Sequence, residues 1–323
     1  MNIGVITTSY PRFAGDPAGN FVAAHVAHLR ALGHTVEVLA AGSDEPLFYR
    51  GGAPELLERG GVRTLASAIA FSAKLTARVV RRAHAWDLAI AHWLVPSALA
   101  ALPSRVPLLA IAHGGDVHTL ARLHLLQPVL AVLRLRGARI AFVSDELRGL
   151  ANMREAIVQP MGVDLLHFAT ITAAPTSPPT LAVIARAVPI KGIDVAVAAM
   201  PHLTTAAQLE IASDVTTRDR DALLRRASIV LVPSRVLANG RSEGTPVVAL
   251  EALAAGIPVI ASRVGGLRDL PVMLVPPDDP RALAQAIDHV LSHPPDPDSL
   301  RASVASRGWP RVTARLLAHA PIR

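Results

Sequence analysis

Two glutamates eight positions apart, Glu243 and Glu251, bracket the residue types that begin a helix. Thr245 has the side chain of an N-cap, and Pro246 suits a first helical position because it lacks the amide that would be orphaned there. Gly256 and Pro258 stop the helix, and 258–262 reads as the next strand. The amides at 245–248, with the positive end of the helix dipole, predict an anion site. A carboxylate repels phosphate but accepts strongly from paired hydroxyls. Glu243 and Glu251 beside an anion site therefore point to a ligand carrying both phosphate and polyol groups, such as a nucleotide sugar. For Glu251 alone, a side chain that merely complements the helix dipole is the competing reading.

Further upstream, Arg186-Ala-Val-Pro-Ile-Lys191-Gly192 follows a predicted strand at 181–185. Two permanent cations thus stand at the carboxyl end of a strand, where open α/β sheets bind ligands. The chain has two lysines, Lys74 and Lys191, against a background of arginine, so a compact ammonium here suits a phosphate. A solvated basic loop is the alternative.

The elements that must hold these residues alternate. Residues 2–8 are an apolar, β-branched run, a helical stretch follows Gly19-Asn20 and stops at Gly33, and 35–40 reads as a second strand, which makes a βαβ unit. Short buried strands follow at 87–91, 107–112 and 139–144, separated by helices that include the basic segment 74–84. At 169–180 the composition shifts to Ala, Thr, Ser and Pro, as in an interdomain linker. The pattern then restarts, with strands at 181–185, 208–212 and 229–233 and helices at 192–200 and 219–226. The expected fold is α/β, with Rossmann-like domains at 1–168 and 181–308 joined by the 169–180 linker, their parallel sheets facing a central cleft.

At 323 residues, 51% hydrophobic and 18% charged, the chain holds core material for about two domains and is not globally disordered. Mean hydropathy is +0.38, yet no apolar run reaches the ~18 residues that a membrane span needs, and no signal peptide is read. The absence of cysteine excludes thiolate catalysis and cysteine metal sites and fits a cytoplasmic location. A net charge of +7 (32 minus 25) suits nucleic acid, anionic lipid or an anionic small ligand. With 3% aromatics there are few stacking platforms for nucleic acid, which is not expected as a partner.

With Glu243 and Glu251 as an E-x7-E pair and Arg186, Lys191 and Gly192 as an R-x4-K-G element, the chain resembles the retaining GT-B glycosyltransferases of glycosyltransferase family four. The resemblance runs nearly end to end. It takes in Ser9-Tyr10-Pro11 with Gly15 and Gly19, His113-Gly114-Gly115-Asp116, Pro160-Met161-Gly162-Val163-Asp164 with Phe168, and Val264-Gly265-Gly266. What it implies is a hexosyl transfer from a nucleotide-sugar donor to a hydroxyl acceptor, with no cofactor and no metal. Arg186 and Lys191 would hold the donor diphosphate. Glu243, with Gly244, Thr245 and Pro246, would take donor-sugar hydroxyls, and Glu251 the ribose hydroxyls. His113 would reach the transferred sugar, and the loop of Gly15, Gly19 and Asn20 would border phosphate and acceptor. A last helix at 309–323 would brace the first domain. The sequence departs from the family pattern at Ala185, where glycine is usual, and at Ser213-Asp214, where a Gly-Asp-Gly and a further helix and strand are expected.

Competing readings are a catalytically silent nucleotide-sugar binder and a partner subunit. Dinucleotide redox chemistry is disfavoured because no G-x-G-x-x-G follows the first strand and Asp44 comes too late to close the second. Asp219-Arg220-Asp221 reads as a helix cap rather than a metal-holding D-x-D. His113, Asp116 and His118 read as structural, and His25 and His28 as surface residues. Lys74, Arg78, Arg81 and Arg82 beside Leu75 and Val79 could dock on an anionic membrane at its inner face, with a solvated helix face as the alternative.

Overall fold

Runs such as Leu88-Ala-Ile-Ala-His92 are buried along their whole length, as befits strands of a parallel sheet covered on both faces. The computed structural model describes residues 1–41, 61–174 and 176–321. Asp44, Pro175 of the linker, and residues 322–323 lie outside the described residues. The chain divides into two units, Met1–Pro160 with Val312–Arg323, and Met161–Arg311.

The first unit holds β1 (Asn2–Ile6), α1 (Asn20–Ala31), β2 (Thr35–Leu39), α2 (Val62–Arg82), β3 (Leu88–His92), β4 (Leu108–Ala112), α3 (Gly115–Arg122), α4 (Leu126–Leu135), β5 (Arg139–Phe142), α5 (Asp145–Leu150) and β6 (Ile157–Val158). Its strands pair in parallel in the order β2-β1-β3-β4-β5-β6. The second unit holds α6 (Leu165–Ala169), β7 (Thr180–Ile184), α7 (Ile193–Ala199), β8 (Gln208–Ala212), α8 (Thr217–Arg226), β9 (Ala227–Val232), α9 (Val247–Ala254), β10 (Val259–Ser262), β11 (Met273–Val275), α10 (Pro280–Ser292) and α11 (Pro297–Ser303). Its order is β11-β10-β9-β7-β8, again parallel throughout. A final helix, α12 (Trp309–His319), contributes its residues from Val312 onward to the first unit. The α/β, two-sheet architecture expected from the sequence is the one that forms.

Core packing follows the two-residue period of a strand. On β7, Leu181 and Val183 join a cluster with Ala196 and Ile287, while Ala182 joins the opposite cluster with Leu250 and Val304. In each sheet the strand order reverses between the first and third strand, at β1/β3 and at β7/β9. Loops leaving those two strands diverge to opposite faces and leave a crevice at the carboxyl ends, the usual ligand position in such sheets.

One surface reading is corrected. Leu75 and Val79 of α2 are fully buried with Phe71 beneath them. Arg78 donates to the Ala40 carbonyl (2.9 Å) and Arg82 to Glu37 (2.7 Å). The large apolar residues of α2 that do face outward are Val62, Leu65 and Ile69 in its first half, at 85%, 58% and 62% exposure, and Val80 near its end, at 48%.

Candidate functional site

The β7/β9 crevice gathers the charged residues. After β7 the chain passes half-buried Arg186 and turns through Lys191 to Gly192, whose φ of +59° and closeness to Pro233 (an added Cβ would lie 1.9 Å from its carbonyl oxygen) require glycine. That contact, with the Arg235 amide donating to the Ile190 carbonyl (3.0 Å), locks the post-β7 loop onto the post-β9 loop. Lys191 Nζ lies 2.7 Å from Glu243 Oε1, and the buried Ser234 hydroxyl donates to the same oxygen at 3.4 Å. Both partners of the ion pair are largely buried. Ala185 has an ordinary φ, and its amide donates to the Ala212 carbonyl (3.1 Å), so the backbone there has no need of glycine.

Glycines at 265 and 266 fix the other side of Glu243. An added Cβ would come 2.0 Å from the Glu243 carbonyl oxygen at Gly265 and 1.9 Å from the Gly244 carbonyl oxygen at Gly266, and the Gly266 amide donates to Glu243 (3.2 Å). The Val-Gly-Gly motif is thus a backbone clamp on the 243–244 turn. The helix that follows starts one position later than its sequence suggests. Pro246 has ψ 115°, outside the helical range, so it occupies the N-cap itself, and α9 has no side-chain cap. Thr245-Pro246 mimics a cap in type but not in geometry.

Glu251 is buried on α9 and faces α8. Arg220 donates through Nη1 to Glu251 Oε1 (2.7 Å) and through Nε and Nη2 to Asp221 Oδ1 (2.9 and 2.8 Å), with its guanidinium 4.9 Å above the Phe168 ring. His167 Nε2 meets Asp221 Oδ2 at 2.8 Å. Burial raises the Glu251 carboxyl above its ordinary range. Arg220 opposes that shift and Asp221 adds to it. Of the sequence-predicted residues, Lys191 and Glu243 therefore meet directly, while Glu251 is engaged by an arginine the sequence reading used only as part of a cap. Thr216 is the cap, and Asp219 stands in the first turn: the Thr216 hydroxyl accepts from the Asp219 amide (3.2 Å) and donates to its carboxylate (2.7 Å).

In the first unit, the β1/β3 crevice holds imidazoles and two carboxylates bound by backbone amides. Between β1 and α1, buried Asp16 accepts from the amides of Arg12 and Ala18 (both 3.0 Å), shaping the loop of Gly15 (φ +84°), Gly19 (φ +61°) and Asn20, the last being the first residue of α1. Asp116 is also buried. Its carboxylate accepts from the amides of Leu94 (2.6 Å), His113 (3.1 Å) and Gly114 (3.1 Å), and so staples the loop after β3 to the loop after β4. His113 stands on that staple with ring neighbours Phe21 (5.2 Å) and Trp93 (4.8 Å).

His25 overturns its surface reading. It is fully buried, its Nδ1 lies 3.3 Å from His92 Nε2, and His92 Nδ1 lies 3.0 Å from His113 Nε2. Burial, followed by the charge of His28, pushes His25 down to about 3. A signal for this cluster was present. The pentapeptide Leu-Ala-Ile-Ala-His occurs at 88–92 and again at 109–113, and the β3/β4 register sets His92 opposite Ile111, two residues short of His113 and so on the same face.

Residues 213–293 match the family described as Glycosyl transferases group 1. Over 216 residues the chain is 30% identical to the Escherichia coli K12 protein assigned as colanic acid biosynthesis glycosyltransferase WcaL, covering 55% of this chain and 53% of that protein. It thus spans about half the length of the curated relatives it matches. Anabaena HepE, solved with UDP, shares 17% identity over 98% of this chain and 99% of its own, with a TM-score of 0.63. The α,α-trehalose 6-phosphate synthase of Burkholderia multivorans shares 14% identity over 98% of both chains, with a TM-score of 0.71. The fold is that of the GT-B glycosyltransferases.

Proposed function

We propose that this chain is a retaining glycosyltransferase that moves a sugar, of hexosyl type, from a nucleotide-sugar donor to a hydroxyl acceptor without a metal. The observation that carries the reading is the Lys191–Glu243 pair, a cation and a hydroxyl acceptor joined at 2.7 Å in a switch-point crevice. Sugar–phosphate cleavage builds positive charge on the sugar carbon and negative charge on the departing diphosphate. Arg186 and Lys191 meet the second of these, together with the first amides of α9, in place of a divalent ion. Glu243, Gly244, Thr245 and Pro246 take hydroxyls of the donor sugar, and Glu251, held by Arg220, takes those of the ribose. His113 contacts the transferred sugar, and the Gly15, Gly19 and Asn20 loop borders phosphate and acceptor. The bond from the sugar carbon to phosphate oxygen breaks as the bond to the acceptor oxygen forms on the same face. The acceptor proton passes to the leaving phosphate.

The test begins with a thermal-shift screen of the purified chain against UDP-, GDP-, ADP- and dTDP-sugars, UDP first because HepE was solved with UDP. The expected result is a raised midpoint with one donor class, then transfer or slow hydrolysis of that donor that survives EDTA. Binding without turnover would favour the silent binder, and loss of turnover in EDTA would remove metal independence.

We place the chain in the cytoplasm, since it has no cysteine and no helix among the described residues is long and apolar enough to cross a membrane. Peripheral contact with an anionic membrane is also proposed, now through the amino-terminal half of α2. Val62, Leu65 and Ile69 lie outward on a helix whose five charged residues, Arg63, Lys74, Arg78, Arg81 and Arg82, are all cationic. Sedimentation with anionic but not neutral liposomes, abolished by Leu65→Ser with Ile69→Ser, is the expected outcome. Equal sedimentation with both lipids would end it.

A further inference from the structure

Three imidazoles in the first unit form one continuous hydrogen-bonded chain, His25 Nδ1 to His92 Nε2 (3.3 Å) and His92 Nδ1 to His113 Nε2 (3.0 Å). His25 and His92 have no exposed surface, whereas His113 keeps some, so the chain runs from the core to the floor of a crevice. His92 and His113 lie nearly parallel, at 22° between ring planes, which suits a hydrogen bond directed along the ring edges. Phe21 and Trp93 pack over the His113 end.

Burial keeps all three rings neutral. His25 and His113 are pushed down to about 3 and His92 falls well below its ordinary value, first by desolvation and then by neighbouring imidazoles. A neutral imidazole has one N–H and one bare nitrogen, so each link needs one donor and one acceptor. If His25 Nδ1 carries a proton, His92 must accept at Nε2, donate from Nδ1 and leave His113 protonated at Nδ1. If His113 Nε2 carries the proton, the same logic leaves His92 and His25 protonated at Nε2. The three rings can therefore occupy only matching tautomers.

We infer that His25 and His92 are positioning residues that couple the tautomer of His113 to their own, so that its remaining nitrogen, Nδ1, changes between donor and acceptor only when all three rings change together. This rests on the reading of His113 as a contact to the transferred sugar, where a donor or an acceptor at Nδ1 each suits one orientation of a sugar hydroxyl. Neither His25 nor His92 touches the ligand in this scheme. They act through the third ring, as an outer group fixes the tautomer of a metal-binding histidine.

The experiment is a long-range proton–nitrogen NMR correlation on ¹⁵N-histidine-labelled protein at neutral pH, which needs no donor. Matching tautomers in His25, His92 and His113 are expected, and unlike tautomers or an imidazolium in any of them would overturn the inference. His25→Phe removes one ring of the coupled set and should change the His113 tautomer ratio, with kcat about tenfold down and little change in KM for the donor. His25→Asn, whose amide stands near the place of Nδ1 and can donate or accept there, should return that ratio and most of kcat toward wild type. A His25→Phe protein with the wild-type His113 tautomer ratio would sink the proposal, as would failure of Asn to rescue a folded protein. Should the wild-type chain transfer no sugar at all, the functional reading falls while the tautomer result stands.

Discussion

The two sheets reverse their strand order at equivalent places and fill the resulting crevices with opposite chemistry. At β7/β9 the acidic and basic side chains pair: Lys191 faces Glu243, and Arg220 bridges Glu251 and Asp221. At β1/β3 the polar groups are neutral imidazoles bonded to one another, and the buried carboxylates Asp16 and Asp116 accept from backbone amides. Charges cost several kcal/mol each to bury and repay that only with good partners. A crevice that keeps them is shaped for a charged ligand. A crevice that has neutralised its imidazoles suits an uncharged, hydroxyl-rich one.

The contrast breaks most visibly at Glu243. Under the proposed function, Glu243→Ala should lower transfer by ~10²–10³-fold, the scale of a lost transition-state contact, and it should also lower the urea midpoint, because it strands the largely buried Lys191. Lys191→Ala should weaken donor binding and turnover together, by less. Full activity in Glu243→Ala would take the catalytic role away from this crevice.

Next in size is Arg220. Arg220→Ala leaves two buried carboxylates, Asp221 and Glu251, without the cation between them, a change that typically costs ~3–5 kcal/mol. Chemical denaturation should register it, and adding Glu251→Gln should recover part of the loss by removing one of the stranded charges. A loss of less than ~1 kcal/mol would mean that the network is surface-like in energy.

The imidazole cluster makes a prediction of its own about acid. His25, His92 and His113 have depressed values in the folded chain, so the unfolded chain binds protons below about pH 6.5 that the native one refuses. Their contribution to stability is thus full above that pH and is lost as pH falls toward 3. Each imidazole held neutral adds a slope of ~1.4 kcal/mol per pH unit. Between pH 6 and 5, His25→Phe should reduce the slope of unfolding free energy against pH by about one such increment. An unchanged slope would mean that His25 is protonated in the fold.

What the sequence revealed, it revealed through local pattern. Strands showed as apolar runs, and Gln208–Ala212 and the helix Trp309–His319 lie where their residues suggest. His25 was legible too, because Val22, Val26 and Leu29 share its helix face at core spacing, and only its polarity suggested a surface position. The same spacing, Phe71, Leu75 and Val79, assigns that face of α2 to the core rather than to a membrane. Arg220 was not legible. Its partner Glu251 is 31 residues away across a strand and a loop, and no helical or strand period connects them. Thr245-Pro246 misled because residue type sets cap preference, whereas backbone angles decide the cap.

The smallest effect separates Asp219 from its neighbour Asp221, which one short motif presents as equals. Asp221 is buried against Arg220 and His167, whereas Asp219 lies exposed at the first turn of α8, its amide and carboxylate both bonded to the Thr216 hydroxyl. Removing the carboxylate loses the bond from the Thr216 hydroxyl but keeps the cap on the residue 219 amide, and should cost ~0.5–1 kcal/mol, the scale of one hydrogen bond. Asp219→Ala is thus expected to lower the urea midpoint slightly and leave transfer unchanged with or without added divalent cation. A variant that folds normally but loses a cation-dependent part of its activity would make this aspartate a metal ligand. The β7/β9 crevice would then need a divalent ion, where this reading has lysine and arginine suffice.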